Sequence, residues 1–299
     1  VETCLADMDG DLPDIVYQAD AVIVWHNIPI GRPSLEKLKK CRAIIRNGVG
    51  FDSVDIEAAR GLGIAVCNVP DYGTEEVADH AIALTMALCR QLFPLDHEAK
   101  KLGWTIRVKP LLRRLSSLTF GIIGLGRIGT AAALRAKSLG FRIVFYDPYL
   151  PNGVHKAIGI ERAGSLDDLL RQTDVLSIHC PLNQETQYMI ERRELDLLKE
   201  NAFVVNTARG GIIDKPAILD ALRNGRLAGA GLDVVDDEPL KTGEEAATPN
   251  LIVTCHAAFC SLESVEEMRS TSARIGLAAS QGRPLENVVN GPVEPRSKN

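Results

Sequence analysis

The sequence predicts an α/β fold built on parallel sheets, and three observations lead there. Short apolar runs alternate with helical patterns almost from end to end, the signature of successive βα units. A glycine-rich turn, "GIIGLGRIG" at 121–129, joins one such run to an alanine-rich helical pattern. The chain has 299 residues, too many for one ordinary core and suited to two domains of moderate size.

In the first part, "AVIVW", "RAIIR" and "IAVCNV" predict strands, separated by helical patterns at "SLEKLKK" and "SVDIEAARGLG". Ser34 and either Ser53 or Asp55 are candidate N-caps, and Gly61-Leu62-Gly63 supplies a helix stop. The basic run "KLKKCR" at 37–42 reads as the outer face of a helix. A long helix is predicted over 75–93, with Glu75 and Glu76 in its first turn to complement the dipole. The connector "IRVKPLLRR" at 106–114 reads as a solvated loop edge.

The second series predicts strands at "LTFGIIG", "FRIVFYD", "DVLSIHC", "AFVVNTA", "GAGLDV" and "LIVTCH". Helical patterns, among them "RIGTAAALRAKSLG" and "DKPAILDALRNGR", lie between most of them. The closing stretch "SLESVEEMRSTSARIGLAASQGRP" predicts one long helix returning to the first domain. The expected organisation is therefore 1–75 for the first part of the smaller domain, 76–264 for a doubly wound domain, and 265–299 for the returning helix and tail.

Composition removes several classes of function. Charged residues make up 24% and the net charge is −5, so the electrostatic footprint of a nucleic-acid binder is missing. No apolar stretch approaches the ~20 residues that span a bilayer. The acidic start "VETCLADMDGDLPD" has no basic segment leading into an apolar one, so no secretory signal is expected. It also has no initiator methionine, which suggests a processed, trimmed or partial start. Seven cysteines occur without a CxxC pair or a cysteine–histidine zinc spacing. That pattern favours reduced, mostly buried thiols in a cytoplasmic setting and no metal site.

Gly124, Gly126 and Gly129 form G-x-G-x-x-G between a predicted strand and a predicted helix. The three allow a tight turn, close approach of a pyrophosphate, and close packing of helix on strand. Backbone N–H groups of Leu125, Gly126, Arg127, Ile128 and Gly129 then face the phosphates at the positive end of the helix. Asp147 ends the next predicted strand, placed for hydrogen bonds from adenosine ribose hydroxyls, unless it is merely a turn residue before Pro148. A 2′-phosphate there meets a like charge, so NAD (NAD+/NADH) is the expected cofactor rather than NADP.

Three polar residues end later predicted strands: Arg209 in "NTARGG", Glu238 in "DVVDDEPL" and His256 in "VTCHAAF". Reducing a 2-keto acid takes a hydride at the carbonyl carbon, a proton at its oxygen and a cation for the carboxylate. Histidine supplies such a proton near neutral pH, and a neighbouring carboxylate favours the imidazolium. Arginine grips a carboxylate with two charge-assisted bonds. Singly, each residue is as well explained by packing or by a solvated loop.

"GIIGLGRIG", "FYDPY", "NTARGGIID", "GAGLDVVDDEPL" and "TCHAAF", in this order, resemble the D-isomer-specific 2-hydroxyacid dehydrogenase family over nearly the whole chain. "GFDSVDIEAARGLGIAVCNVP", "FYDPYLPNGV" and "HAA" are most similar to its C-terminal binding protein branch. The resemblance implies a Rossmann doubly wound domain, plus a smaller flavodoxin-like α/β substrate domain formed from both chain ends. It implies a catalytic set of Arg209, Glu238 and His256. It further implies that Cys180, Pro181, Leu182, Thr186, Thr207, Ala208, Asp233, His256 and Ala258 line the cofactor. Val49 and Gly50 are then expected to offer backbone N–H groups to a substrate carboxylate, with Arg209, His256, Phe259 and His26 around the same acid.

Phe259 stands where the corepressor branch carries tryptophan, and Cys255 stands where proline commonly precedes the histidine. Relative to the family the chain starts after the usual first strand, which predicts residues upstream of Val1, and it has no long corepressor tail. The expected function is an NAD-dependent D-2-hydroxyacid dehydrogenase acting on a small 2-keto or 2-hydroxy acid. The alternative is an NAD(H)-sensing, corepressor-like scaffold with a peptide-binding cleft. Either way a homodimer is implied, formed through the 75–93 helix and the region after it.

Overall fold

A computed structural model describes residues 2–4, 9–25, 28–101, 104, 112–236, 238–240 and 243–293. Its elements in chain order are β1 (Ala21–Val24), α1 (Arg32–Lys37), β2 (Ala43–Arg46), α2 (Ile56–Gly61), β3 (Ala65–Cys67), α3 (Thr74–Cys89) and α4 (Leu92–Lys100). There follow β4 (Thr119–Ile123), α5 (Arg127–Ser138), β5 (Arg142–Tyr146), α6 (Val154–Ile158), β6 (Glu161–Arg162), α7 (Leu166–Arg171) and β7 (Val175–Ile178). The last are α8 (Arg192–Leu197), β8 (Ala202–Asn206), α9 (Lys215–Arg223), β9 (Leu227–Leu232), α10 (Glu244–Ala247), β10 (Leu251–Val253) and α11 (Leu262–Gln281).

The chain divides into two compact units, Val1–Gly73 with Cys260–Asn299, and Thr74–Phe259. The divisions after 73 and 259 differ from the expected junctions after 75 and 264. The second difference has a local cause: Ser261 caps α11 by accepting from Ser264 N, and a junction at 264 cuts through that first turn.

In the first unit, parallel strands run in the order β1-β2-β3. Ile44 and Val66 face Leu35, Leu38 and Ala59 on one side. Ala43, Ile45, Ala65 and Cys67 face Ile275 and Ala279 of α11 on the other. This alternation is the period-two pattern of a strand covered on both faces. Beyond β3, Val289 N donates to Val66 O, and the buried Asn290 side chain pairs with the backbone of Ile64 and Val66.

The second unit holds seven parallel strands in the order β10-β9-β8-β7-β4-β5-β6. The chain enters at β4, winds outward through β5 to β6, then returns to the other flank of β4 and winds through β7 to β10. The reversal between β4 and β7 is the switch point at which doubly wound sheets bind ligands. Helix α9 places Ile218, Leu219 and Leu222 in the core, each contributing about 2 kcal/mol of hydrophobic stabilisation. Helix α3 buries Ala81, Leu84 and Leu88 beside Val205 of β8.

Several expectations need correcting. The helix over 75–93 is two helices, because Gln91 adopts a left-handed φ of 49° and turns the chain between α3 and α4. Ser34 is not an N-cap: Gly31 holds that position, while the buried Ser34 hydroxyl accepts from Gly10 N. Asp55, rather than Ser53, caps α2 by accepting from Ala58 N. Only Lys37 of "KLKKCR" is helical, and Leu38 and Cys41 are buried. Residues 106–111 of the connector lie outside the described residues; its end is exposed loop as expected, with Arg113 ion-paired to the buried Asp174 at 2.7 Å. All seven cysteines are free thiols, and Cys4, Cys255 and Cys260 are exposed rather than buried.

Candidate active site

The strand "AFVVN" is an unbroken run because β8 is central in the sheet and covered on both faces. At its carboxyl end the Asn206 carboxamide accepts from Ala208 N and donates to Arg209 O, folding the chain over. Arg209 then lies extended, ahead of the short 3-10 turn Gly210–Ile212. A side chain at Gly210 would start 2.0 Å from the Val235 carbonyl carbon. Only glycine lets the segment after β8 nest against the segment after β9.

From the end of β9, Val235 N donates to Glu238 Oε1 at 3.1 Å, aiming the carboxylate. From the end of β10, Thr254 N donates to Leu232 O and His256 N to Asp233 O. His256 takes a φ of 53°, sparsely populated for a residue with a side chain. Its Nδ1 lies 2.7 Å from Glu238 Oε2, and the two side chains are 19% and 32% exposed. An ionised carboxylate only accepts, so Nδ1 carries the hydrogen in this pair.

The residues at the switch point fit a dinucleotide. Gly124 has a φ of 85°, and a Cβ there would lie 2.8 Å from Cys180 N, so the turns after β4 and β7 are packed together. A Cβ on Gly129 would lie 2.1 Å from Gly124 O, whereas one on Gly126 would meet nothing within 4 Å. Gly126 is thus the open side of the cradle, at the N-terminus of a twelve-residue helix with no side-chain cap. Asp147 directly follows β5, accepting from Leu125 N and Tyr149 N, which fixes the carboxylate beside the turn. The buried Thr207 hydroxyl has no hydrogen-bond partner among the described residues, which fits a polar atom placed for a ligand group. Burial, helped by the charge of Asp147, pushes the Cys180 thiol up to about 12, so it stays an uncharged wall.

Residues 82–258 match the NAD binding domain of the D-isomer specific 2-hydroxyacid dehydrogenases. The chain belongs to that family. Across the family it is 35% identical over 299 residues to the D-3-phosphoglycerate dehydrogenase of Methanocaldococcus jannaschii, covering all of this chain and 57% of that protein. It is 33% identical over 285 residues to C-terminal-binding protein 1 of Caenorhabditis elegans, covering 92% of this chain and 39% of that one. The chain thus spans about half the length of these curated relatives. A D-lactate dehydrogenase from Aquifex aeolicus, solved with NAD and lactic acid, superposes with a TM-score of 0.87 at 30% identity, over 95% of this chain and 91% of that one. The matched domain is an NAD binding domain, and the cradle built by Gly124, Gly126 and Gly129 suits NAD(H).

The structure brings the residues expected in the nucleotide-binding unit to one edge. Arg209, Glu238 and His256 follow the neighbouring strands β8, β9 and β10, while Gly124, Asp147 and Cys180 follow β4, β5 and β7. Leu182 lies beside the 3-10 turn, 3.4 Å from where a Gly211 Cβ would sit. Thr186 donates its hydroxyl hydrogen to Pro181 O, which ties that turn together. Asp233, Thr207, Ala208, Ala258 and Phe259 lie in this same unit. Val49 and Gly50 belong to the other unit, where Asn68 Nδ2 donates to Val49 O. His26 lies outside the described residues.

Two residues escaped sequence reasoning. Asn206 shapes the arginine turn, yet it reads as one more residue after an apolar strand. Arg46 looks like a surface residue but is 5% exposed, donating to Asn47 O where a Gly48 side chain would otherwise stand. An arginine ending an apolar strand, followed by glycines, was the available signal, and it is the same signal that singled out Arg209. Among the described residues no group of three or more His, Cys, Asp and Glu could hold a metal ion. None of their helices is long and apolar enough to cross a membrane.

Proposed function

We propose that this protein is an NAD-dependent D-2-hydroxyacid dehydrogenase, converting a small 2-keto acid to its hydroxy acid and back. The observation carrying the reading is the 2.7 Å His256–Glu238 pair on the sheet edge that also holds Arg209 and the glycine turn. Bound NAD(H) supplies or accepts the hydride. Arg209 binds the substrate carboxylate and polarises the adjacent carbonyl. His256 delivers its Nε2 proton to the carbonyl oxygen during reduction and takes it back during oxidation. Glu238 holds the ring through Nδ1 and supports its positive charge. Gly124, Leu125, Gly126, Arg127, Ile128, Gly129 and Asp147 hold the dinucleotide.

The test is NADH oxidation followed by absorbance with glyoxylate, hydroxypyruvate and bulkier 2-keto acids, alongside His256→Gln. Turnover that falls at least a hundredfold in the variant supports the reading. No acid reduced faster by the parent than by the variant overturns it. In that event the likeness to C-terminal-binding protein 1 favours a nucleotide-sensing scaffold, to be tested by peptide pull-down with and without NADH.

A homodimer and a cytoplasmic setting belong to the same reading. The apolar face of α3 is used within the subunit, which shifts the dimer contact to the exposed Leu92, Phe93 and Trp104. Light scattering on the parent and on Phe93→Glu tests it: a dimer converted to monomer supports the contact. A parent that is monomeric with and without NADH ends it.

A further inference from the structure

Behind His256 runs a chain of polar contacts that the proposed chemistry does not use. The buried Asp233 carboxylate accepts from Thr254 Oγ1 at 2.6 Å and from the amides of Ala257 and Ala258, each at 2.9 Å. Its main-chain oxygen accepts from His256 N at 2.8 Å. One aspartate therefore grips the backbone at His256 and at both residues after it. Thr254 joins this grip from the other side, and its hydroxyl lies 3.0 Å from His80 Nε2.

The protons can be placed by counting. The threonine hydroxyl has one hydrogen, and the carboxylate accepts it. The histidine contact must then use the hydroxyl's lone pair, so His80 donates from Nε2. His80 sits in α3, a sixteen-residue helix packed on the sheet, so the series His80, Thr254, Asp233 ties the loop to a rigid support. The loop needs such support, because His256 holds a backbone conformation that side-chain-bearing residues leave when free to do so. Its direction toward Glu238 depends on that backbone.

We infer that His80 and Thr254 are positioning residues for catalysis: through Asp233 they hold His256 in the left-handed conformation that keeps its ring on Glu238. The inference rests on the dehydrogenase reading for its kinetic consequence, but not for its structural one. Misplacing a proton donor by an ångström is enough to slow a reaction strongly.

The experiment compares Thr254→Val and His80→Leu with the rescuing variants Thr254→Ser and His80→Gln. For each, kcat and KM with NADH and the best 2-keto acid are measured, and the His256 ring N–H signal is recorded by 15N-labelled NMR without cofactor. Thr254→Val and His80→Leu are expected to lower kcat about tenfold or more, with both KM values within about twofold. The downfield His256 Nδ1–H signal should weaken or shift in these two. Serine and glutamine should restore both readouts, and the Thr254→Val/His80→Leu double variant should be no slower than the slower single.

A parent-like kcat and ring signal in Thr254→Val overturns the inference, as does a serine variant impaired as much as valine. If Thr254→Val does not fold, His80→Leu decides alone, its ring being 26% exposed. A parent without turnover defeats the dehydrogenase reading, and the ring signal then still decides the positioning claim.

Discussion

At Gly210, one missing methyl group determines whether the loops carrying Arg209 and Glu238 can lie together. Gly210→Ala pushes a carbon into the backbone of Val235 and Asp236, and the loops must part. The expected result is a loss in kcat of about a hundredfold with NADH affinity within about threefold, measured by steady-state kinetics and NADH fluorescence. Affinity is spared because Gly124, Gly126, Gly129 and Asp147 follow other strands. Arg209→Lys keeps the charge but loses the planar fork, so KM for the keto acid should rise about tenfold or more. Arg209, Glu238 and His256 stand out in the sequence through their order after the glycine fingerprint and through the family's motifs. The geometry of their contact was not legible, since it depends on Val235 N holding the Glu238 carboxylate and on a left-handed residue at 256 that no local pattern announces.

Among the elements, the turn between β4 and α5 is where sequence and structure agree most closely. The reason is that the G-x-G-x-x-G spacing carries two backbone constraints, at Gly124 and Gly129, and one open position, at Gly126. Asp147 accepts from Leu125 N, so it also shapes the turn. Asp147→Asn keeps an acceptor but removes the charge, and the kcat/KM preference for NADH over NADPH should fall by on the order of tenfold. The break between α3 and α4 went unread because Arg90-Gln91-Leu92 contains neither glycine nor proline. The two-residue β6 was also beyond reach: Glu161 and Arg162 carry no apolar alternation. For α11 the signal was strong, from a capping serine at 261 to a left-handed Gly282 after its end. Ser261→Ala should cost about 1 kcal/mol, a drop of about 3 °C in Tm by calorimetry.

On the scale of the whole molecule, acid lability should arrive in two stages. Burial lowers His179 to about 4, against about 6.5 in an unfolded chain. Between these values the unfolded chain takes up a proton that the folded chain refuses, so stability falls as pH drops from about 6.5 to about 4. Burial alone would raise Asp174, but hydrogen bonds from Lys199, Thr119 N and Arg113 outweigh it and hold the carboxyl below its usual range. Its contribution is present above about pH 4 and is lost as pH falls further. Urea midpoints against pH should show both stages, and His179→Asn should flatten only the upper one. The parallel α/β architecture was readable from alternating strands and helices, because sheets covered on both faces spell their strands as continuous apolar runs.

The cover that α11 lays over β1 and β2 also bears on how the protein is made. A ribosome releases β1, β2 and β3 early, then synthesises all of Thr74–Phe259 before the helix that shields Ala43, Ile45, Ala65 and Cys67 emerges. For that interval the nascent sheet has one greasy side open to solvent and to any chaperone, while the strands β4 to β10 of the nucleotide-binding unit have all been made. Birth order and sequence order therefore part company: the middle of the polypeptide is finished first, and its beginning waits for its end.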